Sequence, residues 1–156
     1  YDVTPDNQQL ACSAYALMPP ATPSTIMMRP IPDNTFHPIY SEPLGGRIIA
    51  RVLSNSTLIF ILEQSDRPSS LWKINTNGSG LTQLMTASTT DMDLGFAYAS
   101  YLPWSITSPD GKLYVLSISN PASNTQALVF GSLSGGTTKT FASGANSFLL
   151  AGWAKV

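Results

Sequence analysis

A single histidine and a single cysteine limit the chemistry available to this 156-residue chain. A catalytic imidazole needs a nucleophile to activate and a carboxylate to orient it. His37, in Phe36-His37-Pro38, has neither beside it in sequence, so it reads as a packing or solvent-facing residue. Cys12 can form no intrachain disulfide; a buried thiol is the first reading and a bridge between chains the second. Asp91-Met92-Asp93-Leu94-Gly95 has the opening of a calcium loop but lacks the third acid and the closing Glu. Glu63, Asp66 and Asp110 fall at expected turns and strand ends, where capping accounts for them. Gly135-Gly136 and Asn77–Gly80 are hairpin turns rather than phosphate loops, because no helix follows either. Trp72, Trp104 and Trp153 recur in apolar strands and read as core anchors rather than a sugar-binding surface. No catalytic, cofactor-binding or metal-binding set emerges. Two sequons remain, Asn55-Ser56-Thr57 and Asn77-Gly78-Ser79, both in turns where an exported protein could carry N-linked glycan.

The elements that must position these residues are strands. Lys112–Ser119 is apolar at nearly every position, as suits a strand covered on both faces. Before it, Ser108-Pro109-Asp110-Gly111 is a turn with a mechanism: proline presets φ, the Asp side chain caps amides, and Gly takes φ > 0. Leu128–Leu133 and Thr137–Phe141 continue the meander across Gly135-Gly136. Upstream, Arg47–Leu53, Thr57–Glu63, Leu71–Thr76 and Gly80–Met85 form a similar series, with Asn77-Gly78 as a hairpin signal. Ala87–Ala99 reads as a looser connection, and Ser147–Val156 as a terminal strand. Leu58-Ile59-Phe60-Ile61 matches Leu113-Tyr114-Val115-Leu116, a repeat of roughly 55 residues, in the range of propeller blades.

Residues 1–44 read differently. Eight of the 12 prolines lie there, a density that disfavours helix and central strand and predicts an extended arm. The expected organisation is a Pro-rich arm over 1–44 and an all-β domain over 45–156. That domain has two blade-like repeats, at about 45–86 and 100–142, plus the terminal strand.

These motifs resemble the blades of TolB-like and WD-repeat β-propellers. Trp104-Ser105 and Ser108-Pro109-Asp110-Gly111-Lys112 match the family's turn, with Ile106-Thr107 inserted. Leu71-Trp72-Lys73-Ile74 followed by Asn77–Leu84 matches its second half-blade. The resemblance covers about 45–156 and implies four-stranded blades; it says little about activity. Two blades cannot close a ring of 4–8, so a fragment of a larger propeller, a two-sheet sandwich, or completion by neighbouring copies are all open.

Charged residues make up 11% of the chain and formal net charge is −1, against roughly 25% charged in an average soluble domain. No basic footprint for nucleic acid exists, and no apolar run reaches the ~20 residues of a membrane-spanning helix. The chain starts at Tyr1, which suggests a removed leader or a piece of a longer product. The expected function is a non-enzymatic extracellular structural protein that self-assembles into a homopolymer or fibre. Its contacts with copies of itself would come from Ile26, Met27, Met28, Phe148, Leu149, Leu150 and Trp153, in a donated arm or strand. The alternative is a piece of a TolB-like propeller acting as a protein- or ligand-binding scaffold, with the periplasm as its setting. No cofactor is expected.

Overall fold

A computed structural model describes residues 1–14, 23–96, 106–145 and 153. Among them there are twelve strands and no helix. The strands form three four-stranded antiparallel sheets in which every strand pairs with its sequence neighbours. The first sheet holds β1 (Asp2–Val3), β2 (Gln9–Ala14), β3 (Ser24–Pro30) and β4 (His37–Glu42). The second holds β5 (Arg47–Ser54), β6 (Thr57–Gln64), β7 (Arg67–Asn75) and β8 (Thr82–Thr86). The third holds β9 (Asp93–Phe96), β10 (Leu113–Asn120), β11 (Thr125–Ser132) and β12 (Lys139–Gly144).

The first sheet corrects the expected extended arm. Its described prolines avoid the hydrogen-bonding demands of a central strand instead of excluding a sheet. Pro5 sits in the β1–β2 turn, Pro30 ends β3, and Pro43 follows β4. Pro38 lies on the outermost strand, where the pairing with β3 shifts register. These are the places where a missing N–H costs least. Ala87–Ala99, expected as a loose connection, contains β9.

The sheets stack face against face, and alternation along each strand supplies both faces. Ile26 and Met28 of the first sheet pack with Ile48, Leu58, Phe60, Leu62 and Ile74 of the second. On the opposite side of the second sheet, Ile59, Ile61, Leu71 and Leu84 meet Leu94, Tyr114 and Leu116 of the third. Thus Leu58 and Phe60 look one way, Ile59 and Ile61 the other, and all four are fully buried. This is why β6 reads as an unbroken apolar run. Phe60 holds Tyr40 at 4.7 Å and stacks on Trp72, whose indole N–H donates to Ser70 Oγ at 2.8 Å. Trp72 therefore packs, half-buried, against the core. The third sheet's far face carries Val115 and Leu128, with Phe130 and Trp153 beside them.

A side chain ties the first strands of the first two sheets. One Asp2 carboxylate oxygen accepts from its neighbour Val3 N (2.9 Å), and the other accepts from Val52 N on β5 (3.0 Å). This linkage satisfies an amide on the exposed edge of the second sheet.

Candidate functional site

Two turns share one construction. Ser108 Oγ donates to Asp110 Oδ1 (2.6 Å), Lys112 N donates to the same oxygen (3.2 Å), and Leu113 N donates to Ser108 Oγ (2.9 Å). At the start of the chain, Thr4 Oγ1 donates to Asp6 Oδ1 (2.6 Å), with Gln8 N on that oxygen and Gln9 N on Thr4 Oγ1, both at 3.0 Å. Asn7 takes φ 57° where Gly111 takes 67°; asparagine is among the few non-glycine residues that tolerate this region. The motif is therefore Ser/Thr-Pro-Asp-Gly/Asn, and its first copy opens the first sheet.

In both turns hydrogen bonds hold the carboxyl below its ordinary range. The hydroxyl of Ser108 is the largest cause for Asp110 and that of Thr4 for Asp6, with the Lys112 and Gln8 amides next. A lowered folded-state value means that the ionised acid supports the turn above the ordinary 3.8, and that this support is lost as pH falls through the lower folded value. The Gln8 and Lys112 amide proton shifts should accordingly titrate with midpoints below 3.8, and Asp110→Asn should abolish the Lys112 titration alone. Midpoints at the ordinary carboxylate value would contradict this construction.

These turns lie at the end of the stack that also carries the β5–β6 turn. Asn55 Oδ1 there accepts from Asp6 N at 3.0 Å. Between the second and third sheets at this end lies a cleft of about 230 Å³, lined by Ser54, Thr57, Lys73, Thr107, Gly111 and Leu133 with Leu53. Lys73, on β7, reaches across to donate to the Leu133 carbonyl at 2.6 Å. The cleft thus combines one ammonium, three hydroxyl side chains and backbone carbonyls. Among the described residues that line it, none is a carboxylate or an imidazole. Sequence reasoning passed over Lys73. The available signal was its phase, two residues from Leu71 and so on the face that turns toward the third sheet.

The residues singled out from sequence are dispersed. His37 is exposed on β4, Asp91, Asp66 and Asp110 are exposed, Asp93 is exposed at the start of β9, and Glu63 pairs with Arg47 at 3.2 Å. Cys12 is a free, half-buried thiol. Among the described residues, no three His, Cys, Asp or Glu side chains gather closely enough to hold a metal ion. Asn55 and Asn77 are both exposed in turns, and Asn77 Oδ1 accepts from Ser79 N and Oγ. Among the expected assembly contacts, Ile26 and Met28 are buried in this chain's own core. Met27, between them, lies half-buried on the other face. Trp153 meets Phe130 edge-on at 5.8 Å. Phe148, Leu149 and Leu150, like Trp104, lie outside the described residues.

No protein-family model matches the chain, and no curated protein matches it in sequence. Solved structures do. An oligogalacturonate lyase in complex with manganese superposes with a TM-score of 0.63 at 16% identity, covering 91% of this chain and 40% of the lyase. A TolB-type protein from Agrobacterium tumefaciens superposes with a TM-score of 0.59 at 14% identity, covering 92% of this chain and 48% of its own. Both are β-propellers. At such identities the likeness is one of fold. The three stacked sheets have the fold of a β-propeller, and in particular of a partial, TolB-like one. The chain spans less than half the length of either matched structure.

Proposed function

We propose that the chain is an arc of a TolB-like propeller serving as a non-enzymatic binding scaffold, with the Lys73 cleft as a seat for a small, polar, anionic ligand. The observation that carries this reading is the composition of the cleft, a cation among hydroxyls and carbonyls. A charge-assisted hydrogen bond from Lys73 would supply most of the affinity. The periplasm is the setting inferred from this fold, in place of the extracellular one suggested by composition. The fibre reading has less support, since the segment expected as an arm forms the first sheet and packs Ile26 and Met28 against the second.

A short oligogalacturonate, the acidic saccharide in the name of one structural neighbour, is a rational first probe. Calorimetric titration should show saturable binding without cleavage of the saccharide, with or without manganese. Lys73→Met should weaken binding about tenfold. Turnover would overturn the non-enzymatic reading. Binding unaffected by Lys73→Met would move the site elsewhere.

A further inference from the structure

Asn77-Gly78 is the one place in the sequence where glycine follows asparagine. The pair carries a chemistry of its own, because a glycine amide can attack the carboxamide before it with no Cβ in the way. The fold places the pair in the β7–β8 turn, with Asn77 exposed and Gly78 at φ 84°. Asn77 Oδ1 accepts two hydrogen bonds, from Ser79 N at 3.0 Å and from Ser79 Oγ at 2.7 Å. The Ser79 hydroxyl in turn accepts from Asn75 Nδ2 at 3.0 Å. These donors draw electron density from Asn77 Cγ and are placed to hold the oxyanion that forms when Cγ is attacked. The opposing feature lies on the nucleophile, since Gly78 N donates to the Asn75 carbonyl at 2.9 Å. That is one bond in an exposed turn, of the kind that local opening releases without unfolding the domain.

We infer that Asn77 is a site of spontaneous deamidation through a succinimide, attacked by Gly78 N and assisted by Ser79. Gly78 N gives its proton to solvent base and bonds to Asn77 Cγ. The Cγ–Nδ2 bond breaks, and Nδ2 leaves as ammonia after taking a proton from water. A second water then opens the ring. Addition at Cγ leaves aspartate; addition at the main-chain carbonyl leaves isoaspartate, with the chain running through Cβ and Cγ. Water is the sole co-reactant. Asn55, Asn75 and Asn124 precede Ser56, Thr76 and Thr125, whose side chains hinder the same attack.

The fold makes the two products unequal. Gly78 lies against the Ile39 carbonyl on β4, where an added Cβ would come within 3.0 Å of the oxygen. Ile39 in turn packs on the core between the first and second sheets. Aspartate at position 77 keeps the main chain unchanged and keeps an acceptor for Ser79. Isoaspartate adds a main-chain carbon directly before Gly78 and displaces it from its place against Ile39. The turn is thus a slow, one-way device that loosens the outer edge of the seam between the first two sheets. This inference is independent of the propeller reading and of any ligand in the Lys73 cleft.

The test is to hold the full 156-residue chain, folded, at mildly alkaline pH and follow its peptide masses over time. The peptide containing Asn77 should gain the mass of one deamidation, at a rate that rises with pH. An isoaspartate-specific methyltransferase should label that same peptide. Ser79→Ala should slow the reaction at least about threefold in the folded chain, and the slowing should vanish in denaturant. Asn77→Gln should abolish the reaction, and both variants should keep the far-ultraviolet circular dichroism of the parent. Hydrogen exchange at β4 and the β7–β8 turn should be faster in the isoaspartate form than in Asn77→Asp, which carries the new charge without the extra carbon. Three outcomes would each overturn the proposal. They are an Asn77 that stays intact in the folded chain while it deamidates in the denatured one, a folded-state rate unchanged by Ser79→Ala, and equal exchange in the isoaspartate and aspartate forms.

Discussion

Gly131→Ala is expected to lower the thermal unfolding midpoint by about 10 °C. Gly131 stands directly opposite Tyr114 in the β10–β11 pair, and the tyrosine ring lies over its backbone. A Cβ added there would sit within 2.7 Å of ring atom Cε1 and closer still to Cζ and the hydroxyl. Tyr114 is 1% exposed and wedged between the second and third sheets, so the ring has nowhere to move. Overpacking of this kind costs about 3 kcal/mol, the upper end of its usual range. At this chain length that corresponds to roughly 2–4 °C per kcal/mol. Gly111→Ala is the control. Its φ of 67° disfavours alanine, but nothing lies within 4 Å of the added carbon. The loss there should be about 1–2 kcal/mol, from backbone conformation alone. Pairing Gly131→Ala with Tyr114→Leu should recover part of the loss. Strict additivity in differential scanning calorimetry would show that the ring is not the obstacle. Tyr114 also predicts alkaline behaviour. Burial raises its phenol from 10.0 to about 12, so its contribution to stability is intact below 10.0 and lost as pH climbs toward 12.

Deleting residues 1–44 is expected to abolish cooperative unfolding altogether. The cut removes the sheet that covers Ile48, Leu58, Phe60, Leu62 and Ile74. Re-exposing side chains of this size costs roughly 1.5–3 kcal/mol each. Five of them rival the ~5–15 kcal/mol that holds a whole domain together. The truncated chain should lose its near-ultraviolet circular dichroism and bind an apolar dye. A chain whose first 44 residues formed a separate extended arm would instead leave a folded remainder. A sharp melting transition for the remainder would revive that organisation.

The strands of the second and third sheets were legible because both faces of β6 and β10 are buried, leaving uninterrupted apolar runs such as Leu58–Leu62. Turn chemistry at Asn77-Gly78 and Ser108–Gly111 then separated the elements. The first sheet was hidden for two physical reasons. Its described prolines occupy turns, strand ends and the outer edge, positions that a tally of proline density does not distinguish from a coil. Its opening turn carries Thr for Ser and Asn for Gly, which preserves the hydroxyl and the positive φ while altering both letters. Thr4-Pro5-Asp6-Asn7, read for what its atoms do, was the missing signal. The cleft was legible least of all. Lys73 and Leu133 meet only because the second and third sheets stack, and adjacency of that kind leaves no trace in local spacing.

The pairing of every strand with its sequence neighbours has a consequence for how the chain acquires its structure. The second sheet closes with short loops throughout, so little chain entropy is spent before its ladder forms, and local closure of this kind favours rapid folding. On the ribosome the first sheet can be complete before β5 has emerged, and it then offers a template on which the second condenses. The slow events should be the two docking steps between finished sheets, each recorded by burial of one face of β6. A tryptophan probe at position 72 would see the first docking and be nearly blind to the second. The order of assembly should therefore run along the chain, from its beginning to its end.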